Sequence, residues 1–306
     1  MLDSTTHIAR ALTELDEPFV RYKILLHIYN RSPDSREIRI LRDEIRASIL
    51  VRTLLAELDN TGQIPLTPNQ RWRGGHWVLY LLAALGSTSD DPSLYPLRDQ
   101  VCAWLCSPER EEPVNGAIEG NALYYLLFLE LDNGCADSVA KRLVKSLDKT
   151  IGKSPAAFAH ALHALRGLTL HAQIRGVQSS RDAATGLAEH LLTHRLYQRS
   201  DGQPLSTDSA TLHYPCYAHC DPLFALKVMR EAGDLGDERC RDALELLKAK
   251  QLADGTFPAE RKHYRVGRFD QGSDSLVDWG GCNKRKTNLH ITCDALAVLH
   301  AAGERF

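Results

Sequence analysis

Between Leu212 and Pro222 the chain reads LHYPCYAHCDP, with two histidines, two cysteines, two tyrosines and an aspartate in eleven residues. Imidazole nitrogens and thiolate sulfurs are the usual ligands of zinc, held at about 2.0–2.3 Å in a tetrahedral shell. Cys216 with His290 and one neighbour is therefore a candidate metal set, and His219, Cys220 and Cys282 are further donors. The same stretch also suits proton transfer without a metal. A carboxylic acid in apolar surroundings has a raised pKa and can donate a proton at neutral pH. Asp278, in SDSLVDWGG (273–281), and Glu119, at the start of an apolar run, are the candidate acids. His213 and His219 would position or relay the proton, and Asp221 would orient a histidine. Asp221 followed by Pro222 also has the form of a helix start, an N-cap and then a proline. The candidate substrate-binding residues are His76, Trp77, Tyr124, Tyr214, Tyr217 and Trp279, whose rings can pack on substrate or face a developing cation, together with Arg73. A Cys216–His219 nucleophile–base pair is conceivable. The chain has no G-x-S-x-G element, phosphate-cradling glycine loop or dinucleotide fingerprint.

These residues need elements to carry them, and the apolar spacing of three and four predicts helices almost throughout. A nearly continuous apolar segment is repeatedly followed by an amphipathic one. GGHWVLYLLAALG (74–86) precedes SLYPLRDQVCAWLCSP, IEGNALYYLLFLELDNG (118–134) precedes CADSVAKRLVKSL, and SPAAFAHALHALRGLTLHAQIRG (154–176) precedes DAATGLAEHLLTHRLY. LFALKVMREAG precedes ERCRDALELLKAK, and TNLHITCDALAVLHAAG (287–303) opens a last unit. PFVRYKILLHIYN and SILVRTLLAEL read as one more pair, within the less regular residues 1–70. A helix apolar all round is buried, and one with a charged face meets water. Two layers of helices follow, each unit burying its face against its neighbours. The expected fold is all-α: a single domain over residues 1–306, an α/α toroid of about five to six helix pairs, with an open solenoid as its rival.

In such a ring the inner helices run the same way, so their N-termini gather at one end. His76, Glu119 with Asn121, His160 with His163, His219 with Asp221, and His290 would meet there. Helix N-termini favour anions, and Arg71, Arg73, Lys284 and Arg285 lie just upstream of such starts. The expected ligand is a hydrophobic small molecule with an anionic head group.

LLKAKQLADGTF (246–257) resembles the Q-x-x-D-G-x-W/F element of the prenyltransferase and squalene–hopene cyclase repeat superfamily. CDALAVLHAAG (293–303) and LFALKVMREAG resemble its inner helices, and the likeness spans about residues 70–306. The resemblance implies an α/α toroid around an apolar cavity, and several branches of that superfamily act on isoprenoids. The β-subunits of protein prenyltransferases hold zinc with an Asp-x-Cys pair and a later His. Here Cys216 matches the cysteine, Tyr214 stands at the aspartate position, and Ile291 takes the place of the histidine, with His290 one residue early. One residue is about 100° around a helix. The Cys-His-Gly element of lanthipeptide cyclases and the Asp-x-Asp-Asp motif of class II terpene cyclases are absent.

Bulk properties exclude some partners. The 306 residues are 43% hydrophobic and 25% charged with a formal net charge of −2, so nothing favours nucleic acid. No apolar run reaches the eighteen or so residues of a membrane span. MLDSTTHIARALTELDEP lacks the apolar segment of a signal peptide, and the eight cysteines follow no compact framework. The expectation is a cytoplasmic enzyme that cyclises or isomerises an isoprenoid-like or other apolar substrate by acid–base chemistry, without a cofactor. The alternatives are a zinc enzyme of the prenyltransferase or lanthipeptide cyclase type, and a non-catalytic binding scaffold.

Overall fold

The computed structural model describes residues 4–87, 89–150, 152, 154–267 and 272–304. Helix accounts for nearly all the regular structure, as expected. Among the described residues there are thirteen α-helices and one short parallel strand pair, Arg265–Val266 beside Asp274–Ser275. The helices are α1 (Ser4–Thr13), α2 (Pro18–His27), α3 (Arg36–Ala47), α4 (Ile49–Leu54), α5 (Gly75–Leu85), α6 (Tyr95–Cys106) and α7 (Gly116–Phe128). They continue as α8 (Cys135–Thr150), α9 (Pro155–Arg175), α10 (Gln178–Thr193), α11 (Pro222–Ala232), α12 (Arg241–Lys248) and α13 (Leu289–Ala301).

Their boundaries follow local chemistry. Ser154 accepts from the Ala157 N–H ahead of Pro155, and Gly176 closes α9 in the left-handed region. Asp221 accepts from the Phe224 N–H ahead of Pro222, and Gly233 closes α11 in the same way. Each cap satisfies groups that a helix end leaves unpaired.

Burial separates two kinds of helix. Every residue of α7 except Phe128 is buried, and so is all of α5 except Ala84. In α12 only Ala243, Leu244 and Leu247 are buried. The apolar helices contact one another in order: α5 with α7, α7 with α9, α9 with α11, α11 with α13, and α13 with α2. Several of these neighbours run parallel. Phe19 stacks on His290 and Lys23 reaches Asp294, four residues further along both α2 and α13. Between α7 and α9 the backbones touch. A methyl group on Gly120 would overlap the His163 carbonyl, and one on Gly167 would overlap the carbonyl of Gly120. The amphipathic helices form a second series, α6 against α8 and α8 against α10, each also packed on an apolar helix.

The N-terminal region departs from expectation. α3 lies between the two segments read as a pair, and it is α3 that packs on α2. Its sequence REIRILRDEIRA is mostly charged, but Ile38, Leu41 and Ile45 make a buried stripe.

Candidate functional site

The N-terminal end of α5, α7 and α9 is filled. The loop from Leu212 to Asp221 folds across it, held by Asn121 of α7 and His163 of α9. Asn121 donates to the Tyr217 carbonyl at 3.2 Å. His163 Nδ1 lies 2.9 Å from Asn121 Oδ1, and its Nε2 lies 3.1 Å from the His219 carbonyl. A neutral ring can donate to only one of these acceptors. Burial nevertheless dominates and pushes the His163 imidazole down to about 3. Tyr217 stacks on Trp72 at 4.0 Å, and His219 stacks on His263 at 3.8 Å. Burial lowers both His219 and His263 to about 4, helped by His213.

Most residues expected to face a mouth at this end are engaged elsewhere. Glu119 is buried, pairs with Arg110 and accepts from the Asn115 N–H at 2.9 Å. Asp278 is exposed and accepts from the Gly280 N–H at 3.1 Å, as a turn aspartate does. His76 lies 3.1 Å from the Tyr125 hydroxyl, with its ring edge-on to Trp77. Trp77 donates to the Asn69 carbonyl at 3.3 Å, and Arg73 pairs with Glu57. Trp279 donates to Ser275 Oγ at 3.2 Å. His290 is sandwiched between Phe19 and Tyr214, 4.2 Å from each ring. His290 thus meets the histidine loop only through the Tyr214 ring, while Glu119 and Asp278 have their partners outside it. Asp278, Trp279 and His290 instead line a surface groove shared with α2, α3 and α4.

His213, Cys216 and Asp221 do converge. All three are buried, and their possible ligand atoms lie within 4.8 Å of one another. His213 Nδ1 is 3.6 Å from Asp221 Oδ2 and 3.2 Å from the Thr211 carbonyl, and Nε2 is buried without a hydrogen-bond partner. Asp221 Oδ2 accepts from the His213 N–H at 2.9 Å, while Oδ1 caps α11. Burial raises the Asp221 carboxyl and the Cys216 thiol. Among the described residues this is the one three-donor group of metal-ligand type, and its nitrogen, sulfur and oxygen donors suit zinc. His290 is not part of it.

This group borders a small chamber of about 30 Å³ inside the helices, together with Tyr80, Tyr214 and Asp294. A larger cavity of about 250 Å³ lies against the central and C-terminal turns of α2, α5, α7, α9 and α11. Ala84, Arg166 and Lys227 line both. Tyr22, Leu26, Tyr124, Phe128 and Leu170 supply apolar wall to the larger one.

The charge around this interior was not anticipated from sequence. One carboxylate serves two lysines: Asp294 accepts from Lys23 at 2.8 Å and from Lys227 at 2.9 Å. Arg166 makes a two-pronged pair with Glu231 at 2.6 and 2.8 Å, and its guanidinium covers the Tyr124 ring at 3.4 Å. Arg230 lines the larger cavity and makes no ion pair among the described residues. Four cations thus face two carboxylates. Burial opposes the ionised Asp294, but the two lysines overcome it and hold the carboxyl well below its usual range. Burial and the surrounding cations lower Lys227 to about 8, and burial, Arg230 and Lys227 lower His27 to about 3. The sequence signal was charge within apolar segments: Lys23, two residues after Arg21, in PFVRYKILLH, and a single charge in HALRGLTL (Arg166), LFALKVM (Lys227) and HITCDALAV (Asp294).

No protein family, curated protein or solved structure matches the chain in comparisons with each. No helix among the described residues is long and apolar enough to cross a membrane.

Proposed function

We propose that the chain is a small-molecule enzyme built as an α/α toroid, taking a short apolar substrate with an anionic group into its interior. The contact order of the apolar helices supports the ring. It runs from α5 through α7, α9, α11 and α13 to α2, and the Tyr22 ring of α2 returns against Gly86 at the end of α5. The observation that carries the function is the interior charge. Lys23, Arg166, Lys227 and Arg230 outnumber Glu231 and Asp294 around cavities otherwise walled by tyrosine and aliphatic groups. Buried charge is tolerated when it is paired, and an anionic ligand would pair the surplus. The 250 Å³ cavity lies just below the ~300–1,000 Å³ usual for ligand sites, so a long polyprenyl chain would not fit.

Charge also bears on the reaction. Cationic walls disfavour a carbocation and stabilise developing negative charge. Acid–base isomerisation or cyclisation through an anionic transition state fits better than cation-driven ring closure. Tyr124, a candidate cation–π surface, already has Arg166 on its face. Asp221, with its carboxyl raised by burial at the inner chamber, takes the acid role expected of Asp278 or Glu119, and His213 beside it would relay the proton. Thermal-shift titration tests the reading. Octanoate is expected to stabilise the protein, uncharged octanol to do so weakly, and Arg230→Met to narrow the difference. Equal effects of octanoate and octanol would remove the basis for an anionic substrate.

A second reading is favoured by the His213–Cys216–Asp221 group. These residues would hold a zinc ion, which supplies Lewis acidity and an acidified water when bound. Metal analysis of protein purified without chelators decides it. About one equivalent of zinc, lost in Cys216→Ser, supports the zinc enzyme, whereas no metal in either protein rejects it.

A further inference from the structure

We infer that Lys227 is an amine nucleophile that forms an imine with a carbonyl group on an anionic substrate. The inference rests on the interior binding site proposed above and adds a covalent step to it.

Lys227 is the amine best placed for this. It lies on the wall common to the 250 Å³ cavity and the inner chamber, with its side chain 14% exposed. It shares Asp294 with Lys23, whose side chain is only 4% exposed and borders just the larger cavity. The charged groups around it are Asp294 on α13, Lys23 on α2, Arg166 on α9, and Glu231 on its own helix. Glu231 is taken by Arg166 through both oxygens, which leaves two lysines for one carboxylate. An ammonium crowded by other cations in a desolvated site gives up its proton readily, a known route to an activated lysine. At about 8, Lys227 would be close to half neutral at pH 8. An ordinary lysine near 10.4 would offer roughly a hundredfold less free amine there.

The step balances without any further reagent. The neutral nitrogen adds to the carbonyl carbon and forms a C–N bond. The carbonyl oxygen collects the two protons that the ammonium gives up in all and leaves as water. Overall an ammonium and a carbonyl become an iminium and water, so the charge of the site is unchanged and Asp294 remains its counterion. The iminium withdraws electrons from the adjacent carbon, which eases removal of a proton there, and Arg166 and Arg230 lie in the same cavity for the anionic group. The substrate class is therefore a small oxo acid or anionic aldehyde.

4-Formylbenzoate is the test probe, with benzoate as the carbonyl-free control. Purified protein is incubated with the probe at pH 8 and reduced with borohydride, and the modified lysines are mapped by peptide mass spectrometry. Lys227 is expected to carry at least about ten times the label of any exposed lysine. Lys227→Arg, which keeps a cation beside Asp294, should lose that label while its melting temperature stays close to the parent's. Label on Lys23, or label spread evenly over surface lysines, overturns the inference. Thermal shifts without borohydride separate the two levels. If both benzoate and the probe bind but no Lys227 adduct forms, the amine assignment falls and the binding site stands. If neither binds, both fall.

Discussion

Replacing Asp294 by asparagine removes the carboxylate that two buried lysines share, and its cost can be bounded. Lys23 and Lys227 are 4% and 14% exposed and Asp294 is 11% exposed, so solvent screens the group little. At pH 7 a buried lysine cannot cost more than the free energy of surrendering its proton. From an ordinary 10.5 that limit is roughly 5 kcal/mol, at about 1.4 kcal/mol for each pH unit. Lys227, already near 8, carries most of this in the parent, so losing its partner adds only about 1–2 kcal/mol. Lys23 contributes the rest. The expected loss is about 3 kcal/mol, the low end of the ~3–5 kcal/mol typical when one member of a buried pair is deleted. Urea unfolding at pH 7, followed by tryptophan fluorescence, measures it. The sign of the pH dependence is a second check. A lysine held lower in the folded chain than in the unfolded chain binds fewer protons when folded, so stability rises with pH from about 8 towards 10.5. The Asp294→Asn deficit should accordingly shrink as pH rises from 7 to 10. Converting the trio together, Lys23→Met, Lys227→Met and Asp294→Leu, should be close to neutral, because no charge is then stranded. A loss below about 1 kcal/mol at pH 7, or a deficit unchanged across that pH range, would refute the shared-carboxylate account.

Three further outcomes follow. Burial holds His27, His76 and His163 near 3 and His219 and His263 near 4, all below an ordinary 6.5. The unfolded chain then holds protons that the folded rings lack, and stability falls as pH drops from 6.5, by up to about 1.4 kcal/mol per unit for each ring. Far-ultraviolet circular dichroism should show acid unfolding above pH 4, and a chain still folded there contradicts the burial of these rings. Gly120→Ala forces α7 away from α9 and should cost about 1–3 kcal/mol in urea unfolding; an unchanged midpoint would mean that the two backbones do not touch. Asp278→Asn should leave octanoate binding as it is and change stability by less than about 0.5 kcal/mol, whereas a loss of binding would return Asp278 to the site.

The helix pairs were legible because apolar periodicity and caps act locally. Residues 154–176 were read as one helix and Pro155–Arg175 is one, between Ser154 and Gly176. The missed helix α3 is legible in retrospect from Ile38, Leu41 and Ile45, but its charge reads as loop when composition outweighs spacing. The polar helix starts were legible as residues and misleading as a site. Asn115, Ser154, Asp221 and Asn288 each accept from an N–H of the helix they begin, which is reason enough for a polar residue there. His213, Cys216 and Asp221 stand close in sequence, and their convergence was within reach. The interior lysines were not. Lys23 and Asp294 are 271 residues apart, and a single lysine in an apolar helix looks like one reaching out to solvent until its partner is placed.

That charge changes which end of the helices recognises an anion. At the N-terminal end, free N–H groups and the helix dipoles would attract it without any basic side chain. Over α5, α7 and α9 that end is closed by the Tyr217–Trp72 and His219–His263 stacks, and only the starts of α2 and α13 border the surface groove. The cavity lies along the central and C-terminal turns, where the dipoles repel an anion and favour the lysines and arginines found there. Recognition must then come from side chains alone. Removing Arg230, the cavity cation without an ion-pair partner among the described residues, should weaken selectivity for octanoate over octanol, with Lys23 and Lys227 on their shared carboxylate left to support the anion. Selectivity that is undiminished in Arg230→Met and lost on opening the Tyr217–Trp72 stack would return anion recognition to the N-terminal end.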